Sequence, residues 1–289
     1  MSRARLIGFI RRGGRVLSAA LISGILLIIL LLVGCQRKLI YMPCGYGPAY
    51  QHDLPVGTVE LKFETSSGKQ TAFYVPSDGE AVPPPETLWV CFNGNAARAL
   101  DWLDTVERVK APGMGFLLVD YPGYGVSEGR PTRHSIAEAS DAALLTLAQH
   151  YRMDLPDLES RTNLLAFSIG TGTGLDFAAR HPVRRVILLA PFTSLLDMAR
   201  RTVGWPLCYL LLDRYDNAAR LNELAARNPR PTVTLFHGQA DEIIPFEMGK
   251  TLAGQHPDLI TFHPVPRVDH NGLPAAVDRQ LQELLKERF

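Results

Sequence analysis

Ser168 closes a short apolar run, Asn163-Leu-Leu-Ala-Phe-Ser168, and small residues follow it at once in Ile169-Gly170-Thr-Gly172-Thr-Gly174. The pattern describes a buried strand that turns sharply into a helix with the serine at the apex. Such a turn pushes a hydroxyl out beyond the carboxyl end of a parallel sheet. The common form of this elbow is Gly-x-Ser-x-Gly. Here Ala166 takes the first position, where the constraint is close approach of helix and strand.

A serine that accepts an acyl group needs a base to take its proton and a carboxylate to orient that base. Of the eight histidines, His134, His150 and His181 fall on or beside helical stretches and read as surface residues. His237 and His263 sit at or near strand ends, and His52 and His256 lie in loops. His270, in Arg267-Val-Asp-His270-Asn-Gly272, occupies a loop between the last apolar strand and the last amphipathic helix, where a base must hang to reach Ser168. The carboxylate is expected at Asp241, just after the strand that ends at His237. Asp269 is adjacent to the base and badly placed to orient it, and Asp213 and Asp216 lie in the segment before that strand. The oxyanion of a tetrahedral intermediate needs two donors. The backbone N–H of Ile169, directly after the serine, supplies one in this reading. The second is assigned to the N–H of Asn95 in the loop Asn93-Gly94-Asn95-Ala96.

The elements that must position these groups alternate in type. Val59–Phe63 and Thr71–Val75 read as a β-hairpin at a sheet edge. Leu88–Phe92, Phe116–Val119, Val186–Ala190, Val233–Phe236 and Ile260–Phe262 are short apolar strands. Between them run amphipathic helices, including 98–110 and a stretch to about His150 in which Ile136, Ala143, Leu144 and Leu147 recur at helical spacing. Two-sided apolar strands alternating with such helices predict a mostly parallel central sheet with helices on both faces. Every candidate above falls just after a strand, where the chemistry of such sheets sits.

Phe92-Asn-Gly-Asn-Ala96, Asp120-Tyr-Pro-Gly-Tyr-Gly125, the serine elbow, Ala190-Pro-Phe-Thr-Ser194, His237-Gly-x-x-Asp241 and Asp269-His270-Asn271 together resemble the serine α/β-hydrolase superfamily. The order Ser168, Asp241, His270 is also the chain order of that fold. The resemblance is greatest to the small membrane-anchored group that includes protein depalmitoylases and lipid hydrolases, and it runs from about Gln36 to the carboxyl end. Arg37-Lys-Leu-Ile-Tyr-Met-Pro43 resembles that group's first segment after its anchor. The resemblance implies an α/β-hydrolase fold with a small helical cap, and ester or thioester hydrolysis; the sequence has no CxxC and no metal-ligand spacing, and no cofactor is expected. Two departures stand out: Asn93 where the group has His, and Ala166 where it has Gly. Asn93 still hydrogen-bonds, so an altered rate is expected more than lost activity.

The amino terminus is a separate signal. Arg3, Arg5, Arg11, Arg12 and Arg15 precede an apolar run from Val16 to Val33, broken only by Ser and Gly. A basic segment followed by an apolar one is a secretory signal or a membrane anchor. Leu32-Val33-Gly34-Cys35 resembles the lipobox of bacterial lipoproteins, which implies cleavage before Cys35 and a lipid on its sulfur. The alternative is an uncut transmembrane helix, the run being near the roughly 18–20 residues needed to span. Both readings keep the arginines cytoplasmic and put the domain on the extracytoplasmic, periplasmic side. Residues 1–35 are thus read as leader or anchor and 36–289 as one α/β domain. Cys44 and Cys208 are candidates for a disulfide, while Cys91 lies in an apolar strand as a buried thiol. Leu39, Ile40 and Tyr41 are read as a docking strand.

A net charge of +1 supplies no basic field for nucleic acid. Between about 192 and 230 lies a cap insert that contains Trp205-Pro-Leu-Cys-Tyr-Leu-Leu-Leu212, either a lid lining an acyl pocket or a packed helix of the core. The expected function is a membrane-tethered serine hydrolase of carboxylic esters or thioesters with a small-molecule or lipid-like acyl substrate. The alternative is a non-catalytic scaffold on the same fold.

Overall fold

The computed structural model describes residues 3–77 and 83–287, residues 3–20 by backbone alone; Met1 and Ser2, which fall in the segment expected to be a leader or anchor, lie outside the described residues. Helix α1 runs unbroken over Arg3–Ile40. The hairpin follows as β1 (Val59–Thr65) and β2 (Gly68–Pro76), antiparallel through a turn at Ser66-Ser67. Next come β3 (Thr87–Phe92), a 3₁₀ turn over Ala99–Trp102, α2 (Leu103–Val109) and β4 (Met114–Val119). The chain then forms α3 (Arg133–His150), α4 (Leu155–Glu159), β5 (Thr162–Phe167), α5 (Ile169–Arg180) and β6 (Arg185–Leu189). Between β6 and β7 (Thr232–Gly238) lie α6 (Leu195–Val203), a 3₁₀ turn over Leu207–Leu210, and α7 (Asn217–Ala225). The remainder is α8 (Phe246–Gln255), β8 (Ile260–Val265), α9 (Leu273–Ala276) and α10 (Asp278–Lys286).

The eight strands form one sheet in the order β1-β2-β4-β3-β5-β6-β7-β8, parallel from β4 to β8 with the antiparallel hairpin at one edge. This is the mostly parallel sheet with helices on both faces that the alternation of elements predicts, in the α/β-hydrolase form that the resemblance implies. Side chains alternate across the pleat into two cores. Leu88, Val90 and Phe92 of β3 point with Leu164 and Ala166 of β5 into a core roofed by α3, α5, α7 and α8. Trp89, Cys91 and Leu165 point the other way, under α2, α9 and α10. Burial on both faces is why these strands read as continuous apolar runs.

Strand order reverses at β3: the chain steps outward to β4 and then returns past β3 to β5. Crevices beyond the carboxyl ends open at such reversals, and the loop after β3 therefore faces the turn after β5. The helix that starts there lies very close to the sheet. A Cβ on Gly170 would overlap the carbonyl oxygens of Phe92 and Asn93.

Three local readings change. Leu39 and Ile40 are helical, because α1 continues through them, and are not a docking strand. The helix expected over 98–110 is split into the 3₁₀ turn and the shorter α2. All four cysteines are free, so Cys44 and Cys208 are not paired. The Cys44 thiol instead donates to the Ala96 carbonyl at 3.3 Å.

Gly170→Ala is expected to destabilise the domain by about 1–3 kcal/mol, the usual cost of forcing a methyl into packed backbone. Gly254→Ala on α8, where an added Cβ meets nothing within 4 Å, is expected to gain about 0.5–1 kcal/mol by helix propensity. Urea unfolding of the two variants measures both signs.

Candidate active site

Ser168 is held in the left-handed region, at φ 56° and ψ −125°, between the last residue of β5 and the first of α5. A non-glycine residue there carries strain of about 1–3 kcal/mol. Neighbouring hydrogen bonds fix it: its N–H donates to Leu189 O at 2.9 Å, and its carbonyl accepts from the N–H of Thr171 at 2.9 Å and the Thr171 hydroxyl at 2.7 Å. Ala166 is tolerated beneath the turn because α5 presents Gly174 opposite, where a Cβ would stand 3.2 Å from that of Ala166.

His270 hangs in the loop after β8, with Nε2 2.8 Å from Ser168 Oγ and Nδ1 2.7 Å from Asp241 Oδ2. Its ring stacks on Phe167, centroids 5.0 Å apart. The loop after β7 carries Asp241, whose Oδ1 accepts from the N–H groups of Ile243 at 2.9 Å and Ile244 at 2.7 Å. These two loops touch over Gly238, where a Cβ would overlap the Val268 carbonyl. Burial alone would raise the Asp241 pKa, but hydrogen bonds from His237, His270 and the Ile244 N–H outweigh it and hold the carboxyl well below its ordinary range. Asp241 is therefore ionised and oriented, the state in which it fixes an imidazole with Nε2 toward the serine.

Beyond the serine, Asn95 and Ile169 line the same cavity of about 300 Å³ as Ser168. Ile169 is the first residue of α5, and the first N–H groups of a helix have no intrahelical acceptor. The loop that carries Asn95 is braced from several directions. Asn93 Nδ2 donates to Val119 O at 3.1 Å, and the Tyr121 hydroxyl donates to Asn93 O at 2.9 Å. Asn95 Oδ1 accepts from Met42 N at 2.7 Å and Ala96 N at 2.9 Å. Asn93 thus holds the loop with its amide, as its place in the sequence leads one to expect.

The other sequence candidates scatter. Asp213 is buried far along the insert, paired with Arg37 at 3.0 Å and accepting from the N–H of Arg133 at 3.2 Å. Asp216 caps α7 through Ala219 N. His181 is not a surface residue: it is buried between Glu159 at 2.6 Å and Asp141 at 2.9 Å. His263 stacks on Phe236. Among the described residues, no three His, Cys, Asp or Glu side chains converge as a metal site requires.

Sequence reasoning missed two features. His237 lies under Asp241, with Nε2 2.9 Å from Ile244 O and 3.4 Å from Asp241 Oδ2; its place four residues before the aspartate was the available signal. The second is the carboxyl end of α1, whose Leu32, Gln36, Leu39 and Ile40 line the cavity beside Ser168. Their spacing at i, i+4, i+7 and i+8 is that of one helical face, so the sequence carried this signal too.

No family model matches the chain. The uncharacterized protein Rv2307c of Mycobacterium tuberculosis is 30% identical over 239 residues, covering 82% of this chain and 80% of the relative. Human alpha/beta hydrolase domain-containing protein 17B is 32% identical over 135 residues, 46% of this chain and 42% of that protein. Among solved structures, an α/β hydrolase from Vibrio vulnificus superposes with a TM-score of 0.66 at 14% identity, covering 90% of this chain and 91% of the other. The Pyrococcus furiosus esterase PF2001 superposes at 0.63 and 15% identity over 86% and 97%. The chain belongs to the α/β-hydrolase superfamily.

One buried acid outside the Ser168–His270–Asp241 set titrates in a useful range. Asp120, at the end of β4, accepts through Oδ1 from Ala99 N at 2.8 Å and the Tyr46 hydroxyl at 3.1 Å, and so ties down the loop after β3. Burial pushes its pKa up to about 7 despite those donors. A raised carboxyl favours the fold while protonated, so its stabilising effect declines as pH rises from the ordinary carboxylate range through about 7 and is level above. At ~1.4 kcal/mol per pKa unit the loss is at most about 4 kcal/mol. Thermal unfolding between pH 5 and 8 is expected to show this fall in the native chain and a flatter profile in Asp120→Asn; equal slopes would contradict the assignment.

Proposed function

We propose that the chain is a membrane-tethered serine hydrolase that cleaves carboxylic ester or thioester bonds through an acyl-enzyme. The observation that carries the reading is the unbroken hydrogen-bond line from Asp241 through His270 to Ser168, which ends at the wall of an apolar cavity.

In this mechanism the acyl chain lies in the cavity with its carbonyl over Ser168. Oγ attacks the carbonyl carbon while His270 Nε2 takes the hydroxyl proton. The developing oxyanion accepts from the N–H groups of Ile169 and Asn95, which are fixed before substrate arrives, so their stabilisation needs no reorganisation. As the tetrahedral intermediate collapses, imidazolium returns the proton to the departing alkoxide or thiolate. Water then repeats the sequence on the acyl-serine, with His270 again as base. Asp241 stays ionised throughout and stabilises the imidazolium.

The tether is residues 1–35. The apolar run starts at Val16 and continues into Leu21–Ile40, a stretch long and apolar enough to cross a membrane, and the basic residues before it favour an extracytoplasmic domain. In the lipoprotein form, Cys35, which is exposed on α1, becomes the lipid-bearing first residue of the mature chain. Residues 36–289 then form the hydrolase domain, with 192–230 as its cap.

Ser168→Ala is expected to lower hydrolysis of p-nitrophenyl butyrate by about 10⁶-fold with an unchanged circular dichroism spectrum, and Asp241→Asn by about 10⁴-fold. Turnover near the native level in Ser168→Ala would overturn the acyl-serine mechanism, and no turnover in the native chain would leave the scaffold reading in its place. Intact mass of the membrane fraction is expected to show a chain beginning at a lipid-modified Cys35; an uncleaved terminus would establish the spanning form.

A further inference from the structure

From Val16 to Leu31 a helix rises roughly 24 Å, against a hydrocarbon core of about 30 Å. The next turns of α1, from Leu32 to Ile40, therefore come at the boundary of the bilayer. These are the turns that meet the domain. Leu32, Leu39 and Ile40 line the cavity beside Ser168, facing Leu207 and Leu211 of the insert. Gln36 between them is buried and bonds the insert at two points: Nε2 donates to Leu210 O at 3.1 Å, and Oε1 accepts from Leu212 N at 2.7 Å. Arg37 adds its ion pair to Asp213.

We infer that the membrane anchor is itself one wall of the acyl pocket, and that the pocket takes a straight acyl chain along α1 directly from the bilayer. This rests on the hydrolase and tether reading above. A side chain that only tethered would have no reason to be fitted between cap and nucleophile. Leu39, 69% exposed yet lining the cavity, stands at the mouth rather than the floor. Two apolar residues of the insert are exposed, Trp205 at 75% before the segment that Gln36 grips and Leu212 at 52% at its end. An apolar rim around an apolar cavity suits entry from lipid and disfavours entry of a polar acyl group from water. Cleavage before Cys35 removes Leu32 but leaves Gln36, Leu39 and Ile40, so the wall survives in either form of the anchor.

The test uses the full chain in phosphatidylcholine vesicles and an octyl fluorophosphonate with a diazirine at the chain end. After the probe has reacted, photolysis is expected to crosslink it to the carboxyl end of α1, within residues 36–40. Labelling of Ser168 with crosslinks only elsewhere would overturn the inference and leave the hydrolase reading standing. Failure to label Ser168 would overturn both. In a second arm, Leu39→Trp narrows the mouth. Since one methylene in an apolar pocket is worth roughly tenfold or more, the ratio of kcat/KM for p-nitrophenyl octanoate over acetate is expected to fall by about tenfold or more. Leu145→Trp, on the exposed side of α3, is expected to leave that ratio alone. An unchanged ratio in Leu39→Trp would overturn the wall.

Discussion

The close approach of α5 to β3 sets the rest of the site. Because Gly170 lies against the Phe92 and Asn93 carbonyls, the chain has no room for a gradual turn after β5. Ser168 must absorb the reversal in one strained residue, with its side chain directed away from the sheet. The same contact puts the loop after β3 beside the first turn of α5, so the two proposed oxyanion donors come from backbones that touch. Strain is kept only where surrounding structure over-determines it. Here two strands, one helix and the Leu189 carbonyl do so.

The candidate acid and base are positioned by a second close approach, between the loops after β7 and β8 at Gly238. Neither loop orders its functional residue alone. Asp241 is oriented by two backbone N–H groups of its own loop and by His237 beneath, while His270 is clamped between Asp241, Ser168 and the face of Phe167. Burial that would neutralise an isolated carboxyl is thereby turned into a fixed negative charge. The Arg37–Asp213 contact joins a half-exposed guanidinium to a buried carboxylate at 3.0 Å. With the buried Gln36 bonds it fixes geometry, holding the carboxyl end of α1 and the insert as one unit.

Much of this was legible in the sequence because it rests on local rules. The sheet followed from apolar runs of strand length, and the candidate acid and base from their places just after strands. Ala166 in the elbow left the pattern readable because its constraint is steric and Gly174 relieves it from the facing helix. What escaped was set by tertiary contact. Leu39 and Ile40 read as extended because Pro43 and the glycines beyond suggest an irregular chain, whereas the bonds of Gln36 to the insert and the packing of Ile40 on the core hold this turn helical. His181 looked like a solvated helix end, since nothing local announces that Glu159 and Asp141 close around it. Cys44 and Cys208 invited pairing by number alone, and number says nothing of distance.

The central claim is that Ser168 is a nucleophile activated by His270. The most direct measurement is reaction of the purified chain with a simple fluorophosphonate, followed by peptide mass spectrometry. One phosphonyl group, on Ser168, is expected in the native chain, with strongly slowed labelling in His270→Ala. Labelling at another serine, or labelling of Ser168 at the same rate without His270, would contradict it.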